Sequence, residues 1–400
     1  DHSRLLSRSE VREHFPMVKA EGLKAGVLYS DGQFNDARMV IALAQTAAEE
    51  GALIANHVEV TSLCKEHGRV SGVMVKDRLS GEQWSLRARG VINATGPFAD
   101  RLRQLDDPAV KPLVTVSSGI HIVLDRRFAP PGNALMIPKT EDGRILFVIP
   151  WQGYALVGTT DDPAEITEHP RSTEAEIDYL LRHLAQYFNL DVGRKDIKAT
   201  WSGLRPLVAD PEKKDTSNLV RDHLISVSES GLLTIAGGKW TSYRAMAEAT
   251  LDRALEVFSF GPVKSCRSDR SVVVGGARYR ADGASQLVRD YGVDAAVAEH
   301  LNRTYGDRAA RVAEKPKFHR CLHPDHPYLE AEVIYAAEQE YAVRAIDVLA
   351  RRIPLAMLDA AAALAVAPRV VELMAGVLDW GVERCKVELE LVKNRLTGAL

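Results

Sequence analysis

The sequence is short of several things, and each shortage narrows what the chain can be. Cysteine is scarce: Cys64, Cys266, Cys321 and Cys385 are the four in 400 residues, far apart and with no Cys-x-x-Cys pair. That argues against a disulfide framework and reads as an intracellular chain with buried or idle thiols. An excess of one charge is missing as well. Lys and Arg number 51 against 54 Asp and Glu, a net charge of −3. A general nucleic-acid binder would carry a basic excess or stripe, so nucleic acid is not an expected partner. No apolar run approaches the ~18 residues of a spanning helix; the most apolar stretch, 354–368, is Ala-rich and contains Asp359. No secretory or transit segment opens the sequence. Walker, Gly-x-Ser-x-Gly, His-Glu-x-x-His and calcium-loop patterns are all missing. One further absence matters most. No two glycines are separated by a single residue, so no Gly-x-Gly-x-x-Gly occurs, and a complete dinucleotide-binding first βα unit is not among these residues.

What is present is ordinary for a globular protein: 46% apolar residues, 26% charged, 28 Gly and 18 Pro. The length suggests two or three domains. Position 1 is Asp rather than Met, which reads as a fragment that a targeting segment could precede.

Local pattern sorts the chain into three parts. A helix is expected after Asp36 as cap, with a stripe of Val40, Ile41, Leu43, Ala44 and Ala47, ending at Gly51. Strands follow at 53–60, 70–76 and 84–88, the last two joined by Ser80-Gly81. Val91–Pro97 reads as a buried strand breaking into a Gly-Pro turn. Residues 113–160 read as a meander, and 173–188 as a helix capped by Ser172 or Thr173. Apolar runs at 197–208, 224–228 and 232–236 lead to Gly237-Gly238-Lys239 and a helix over 241–258. From 284 to 397 nearly everything has helical period and high Ala content, apart from the loop 315–327.

Several constellations can carry chemistry. At Gly237-Gly238-Lys239-Trp240-Thr241 a strand runs into a helix, so free N–H groups and a cation face whatever sits there, which suits an anion; an ordinary Gly-rich turn is the plain alternative. In Trp201-Ser202-Gly203-Leu204-Arg205-Pro206-Leu207 an Arg held among apolar residues can grip a carboxylate or phosphate, or pair an interior carboxylate. Arg221 is a weaker candidate of the same kind. His121 lies in an apolar strand and is either a proton acceptor or a hydrogen-bonded core histidine. Thr159 and Thr160 close the meander, where hydroxyls meet a ligand or merely finish a turn. Asn93-Ala94-Thr95-Gly96 lets backbone lie against a flat or phosphorylated ligand. His319, Cys321, His323 and His326 match no closed zinc pattern and read as an inter-domain loop, so no metal is expected.

At these motifs the chain resembles the FAD-dependent glycerol-3-phosphate dehydrogenase family, most closely its mitochondrial branch. The resemblance is carried by residues 29–38, 91–97, 119–123, 147–151, 158–161, 201–207 and 237–244, in order, and more loosely by 327–332. It implies an α/β fold: an FAD/NAD-type Rossmann-like domain lacking its first βα unit (residues 1–105 and 195–258), an antiparallel sheet domain over the substrate (106–194) and a C-terminal helical domain (259–400). It implies oxidation of sn-glycerol 3-phosphate to dihydroxyacetone phosphate, with FAD as cofactor and a membrane quinone as electron acceptor. His121 would be the base. Arg205, Arg221 and Lys239 would hold the phosphate, and Thr159 would bond a substrate oxygen. Val58 would meet the adenine, Ala94, Thr95 and Gly96 would lie along the cofactor, and Gly237–Thr241 would face the flavin. A mitochondrial, peripheral inner-membrane location is implied, or the cytoplasmic membrane for a bacterial source, with homodimerisation open. An amine- or amino-acid-oxidising relative, or an inactive fragment, are the competing readings.

Overall fold

The computed structural model describes residues 3–130, 132–138, 140, 143–208 and 223–397. Near the N-terminus the helix Asp36–Glu49 is capped by Asn35, whose side chain accepts from the Arg38 amide. The expected cap, Asp36, is instead the first helical residue. Its stripe is also rotated: Ile41 is buried, but Val40 is 48% exposed. The cause lies in Arg38, which turns toward the C-terminal helices rather than to water.

A small antiparallel sheet follows, with Val58–Glu66, Arg69–Asp77 and Gln83–Arg87 in sequence order. The first strand begins five residues later than its apolar pattern suggested, and Leu53 is 100% exposed. The turn sets this register. His67 and Gly68 both have positive φ (51° and 77°), the geometry of a tight hairpin, and pairing counted back from them starts at Val58. A second small sheet places Leu233–Gly237 between His223–Val227, antiparallel, and the two-residue strand Ile92–Asn93, parallel. Asn93, fully buried, ties these together by donating to the Ala99 carbonyl and the Thr234 hydroxyl.

The third sheet positions the site. Val114–Asp125 pairs with Asp162–Pro163 and Tyr154–Gly158, and the latter continues through Leu146–Trp151 to Leu135–Ile137. Ile197–Val208 runs antiparallel along almost the whole of Val114–Asp125. Residues 195–208 were grouped by sequence with the cofactor-side segments, yet their backbone partner is this sheet. Side chains alternate between faces. Ile120, Ile122 and Leu124 pack with Ile177, Leu180 and Leu184 of the helix Glu174–Tyr187, forming one core. That helix starts as expected at Thr173, in a capping box with Glu176. Ser117, Gly119 and His121 point to the other face.

The C-terminal part is helical. Glu330–Gln339, Ala360–Leu378 and Val382–Leu396 enclose a core that includes Val333, Leu349, Ile353, Val370, Met374 and Val392. Ala360–Leu378 corrects the expectation about apolar length: it is long and apolar enough to cross a membrane by length and composition. It buries Val370, Val371 and Met374 in this core, and its Arg369 pairs with Glu330 and Glu372, which is how a core helix behaves. The helical part is bolted to the N-terminal helix. Arg38 donates to both carboxylate oxygens of Glu340 at 2.6 and 2.7 Å, with side chains 13% and 1% exposed. The Arg38 guanidinium also lies 4.7 Å above the Tyr305 ring.

The expected inter-domain loop brings His323 and His326 together, ring centroids 5.3 Å apart, and gives its other groups different partners. His319 contacts the Ala313 carbonyl, Cys321 sits in a bridge with Leu329, and His326 stacks between Tyr154 and Tyr328 near Asp359. Among the described residues no group of three or more His, Cys, Asp or Glu is placed to hold a metal ion. All four thiols are free, and Cys266 is exposed.

Candidate active site

Four expected or neighbouring residues meet on the open face of the large sheet. His121 is the direct cross-strand partner of Gly158 on one side and of Trp201 on the other. Two rungs along, Gly119 faces Gly203, and two rungs further Ser117 faces Arg205. Partners share a face, so His121, Trp201 and Arg205 project together over a floor of glycines. The floor is needed. A Cβ on Gly158 would lie 2.3 Å from His121 Cδ2. One on Gly119 would meet the Arg205 Nη2 and, at 2.5 Å, the Thr159 Oγ1. Glycine inside a strand marks close approach of another group; here the groups are the imidazole and the guanidinium.

Arg205 is held at the rim. It donates to Thr159 Oγ1 at 3.0 Å, to the Thr160 carbonyl at 3.2 Å and to Asp161 at 3.3 Å. Asp161 is more than half exposed, so this is no interior ion pair, and part of the guanidinium fork can turn to an incoming anion. Thr160 fixes the strand end: its buried hydroxyl accepts from the Ile120 amide and donates to Glu176. His121 is pushed down to about 4, first by burial and then by the positive charge of Arg205. The imidazole is therefore neutral across the physiological range.

Lys239, expected beside these groups, has no hydrogen bond, ion pair or ring contact with them among the described residues. It precedes the 3-10 turn Trp240–Ser242, at the end of Leu233–Gly237. Gly237 and Gly238 both have φ of 77°. The space beside Gly238 is filled by Met246 and His223 rather than open, so this glycine is explained by its own packing. Trp240 lies against Phe34 and Tyr243, and its buried indole N–H has no partner among the described residues. Ala94 and Thr95 are exposed, and Gly96, at φ 57°, borders open space. Val58 opens its strand opposite Asp77. Arg221 lies outside the described residues.

Residues 1–244 match the family model described as FAD dependent oxidoreductase. The chain belongs to this family. Residues 266–385 match the model described as C-terminal domain of alpha-glycerophosphate oxidase. The chain is 45% identical over 406 residues to the mitochondrial glycerol-3-phosphate dehydrogenase of Mesocricetus auratus, covering 97% of this chain and 55% of that protein. The Homo sapiens protein of the same name is 42% identical over 410 residues, 98% of this chain and 56% of its own length. The chain thus spans about half the length of the curated relatives it matches. Among solved structures, glycerol-3-phosphate dehydrogenase from Bacillus halodurans complexed with FAD aligns with a TM-score of 0.86 at 27% identity, over 99% of this chain and 79% of that one. An L-alpha-glycerophosphate oxidase from Mycoplasma pneumoniae shares the fold at a TM-score of 0.52 and 20% identity, over 66% of each chain.

The sequence motifs named His121, Arg205 and Thr159, and the structure brings these three together. They did not assign tasks to Trp201, Gly119 or Gly158. A signal existed: glycines at 119 and 158 interrupt β-rich runs that otherwise favour branched residues.

Proposed function

We propose that this chain serves the FAD-dependent oxidation of sn-glycerol 3-phosphate to dihydroxyacetone phosphate, with electrons passing to a membrane quinone. The observation that carries the reading is the sharing of one sheet face by a neutral His121 and a cationic Arg205, beside the Thr159 hydroxyl. A phosphorylated secondary alcohol needs those functions: a cation for a group bearing about −1.5 to −2 charges, and a base for the hydroxyl proton. The names of the mitochondrial relatives support this substrate and a mitochondrial location.

Each residue then has a task. Arg205 turns its remaining donors to the phosphate while Asp161 and Thr159 hold its two terminal nitrogens. Thr159, whose hydroxyl donates to the Thr160 carbonyl at 3.0 Å, redirects that proton to a substrate oxygen. His121 takes the C2 hydroxyl proton onto a ring nitrogen. Residues fit a flavin cofactor at two places: the open backbone at Ala94-Thr95-Gly96, and Trp240, whose buried N–H is unpartnered. Gly237–Thr241 would border the ring, and Val58 the adenine. The chemistry that bound FAD supplies is acceptance of the hydride lost from C2.

The test uses the full-length protein. His121→Asn is expected to cut turnover by roughly 100- to 10,000-fold, the usual range for a general base, with FAD content kept. Arg205→Met is expected to raise KM for glycerol 3-phosphate far more than it lowers FAD content. Unchanged turnover in the first, or parallel loss of substrate and cofactor binding in the second, would sink the assignment.

A further inference from the structure

A histidine base is usually oriented by a hydrogen bond from its second ring nitrogen to a carboxylate or carbonyl. His121 has none among the described residues: its Nδ1 is buried and unpartnered. Something else must hold the ring. Trp201, directly across the strand pair, stacks on it with centroids 4.3 Å apart and planes 20° from parallel. Trp151 leans against Trp201 at 6.2 Å. On the opposite neighbour strand, the imidazole occupies the space that a side chain at position 158 would need. The ring thus has an indole on one flank and bare backbone on the other.

We propose that Trp201 is the positioning residue for His121, its indole fixing the imidazole's orientation and shielding it from water in place of a hydrogen-bonded partner. The inference deepens the function proposed above and rests on His121 acting as the base. It also explains why the Trp201–Leu207 segment carries two functions in one strand: Arg205 at one rung, and the support for His121 four residues earlier. Arg205, on the same strand as Trp201, is the charged group that bears on the imidazole, with Asp161 beyond it in the guanidinium's own ion pair. The strand carrying Gly158 faces the ring with Gly158 itself, whose next partner is the apolar Phe147. Replacing Trp201 therefore changes hydration of the ring and leaves its charged neighbour in place.

The experiment follows the His121 ring by NMR in the full-length, FAD-loaded enzyme with isotope-labelled histidine, the signal assigned by its loss in His121→Asn. In Trp201→Ala the ring's titration midpoint is expected to rise from about 4 toward the ordinary 6.5, by about one unit or more. The acid limb of kcat/KM should move with it. Turnover should fall by about 100-fold, the scale of a small misplacement of a reacting group, with KM less affected. Trp201→Phe, which keeps a stacking face, should recover most of both. If Trp201→Ala does not fold, Trp201→Leu, which fills space without a π-face, carries the same test. An unmoved midpoint and acid limb in a folded variant would overturn the positioning role. The two readings separate cleanly: intact turnover in His121→Asn defeats the base, whatever Trp201 does to the titration.

Discussion

Gly119→Ala offers the sharpest probe of the site, because it adds one methyl group whose nearest neighbours are the two binding side chains. The new Cβ would sit 2.5 Å from both Arg205 Nη1 and Thr159 Oγ1, and nearer still to Nη2. Carbon needs roughly 3.5 Å from such atoms, so the guanidinium must retreat by about 1 Å. It can do so, being the far end of a flexible chain, but it then loses its 3.0 Å bond to Thr159 and its aim. Gly119 lies in a regular strand with no left-handed φ, so alanine costs nothing in backbone strain. The fold should survive. Hydrogen bonds to charged groups contribute about 1.5–3 kcal/mol each, so losing one from a bound phosphate means a roughly 10- to 150-fold higher KM. Steady-state kinetics with glycerol 3-phosphate on the full-length enzyme, with flavin absorbance measured in parallel, gives the answer. Arg205 as the phosphate anchor is refuted if KM stays at the wild-type value while the crowding is real, or if FAD is lost in step with substrate.

Other expectations bear on folding and pH. With His121 near 4 in the folded chain and an ordinary value of 6.5, the unfolded state binds the extra proton between those values; stability is therefore full above pH 6.5 and declines as pH falls toward 4, by up to roughly 3 kcal/mol. Urea titrations from pH 4 to 7 should show that slope flattened in His121→Phe, and an equal slope in both proteins would contradict the buried neutral ring. Arg38→Leu leaves Glu340 as a buried unpaired acid and should destabilise by about 3–5 kcal/mol, read from denaturant midpoints; a loss below 1 kcal/mol would mean water reaches that carboxylate. Thr173→Ala, which removes the helix cap and one hydroxyl bond to Glu176, should cost about 1 kcal/mol with KM unaltered, and a KM change there would show that the helix under the sheet steers the site.

Much of this architecture was legible in the residues. The meander over 113–160 and the strand 197–208 announce themselves by alternation and turn residues, and the helix over 173–188 by the capping residues Ser172 and Thr173 at its start. Local pattern failed where partners decide. Leu53–Ala55 looks like a strand yet has nothing to pair with, because the register is set by a turn at His67-Gly68 that carries a histidine in a conformation usually left to Asn or Gly. Val40 looks like a core residue, but Arg38 rotates its helix toward an acid 302 positions away. The site divides the same way. Residue type singled out His121 and Arg205, whereas the service of Trp201 and of two glycines depends on which strand lies beside which, and no local period records that. Lys239 shows the converse: a suggestive motif whose nearest explanation is its own strand-to-helix junction.

The Arg38–Glu340 clasp also bears on how the protein is made. Ribosomes add about 5–20 residues per second, so roughly 15 to 60 s pass between the emergence of that arginine and of its acid. Until then the helix Asp36–Glu49 holds a cation with no counter-ion at the place it must bury. The helix Asp36–Glu49 therefore completes its docking only after residue 340 has emerged, and a nascent chain stalled before that position presents a half-docked helix to chaperones.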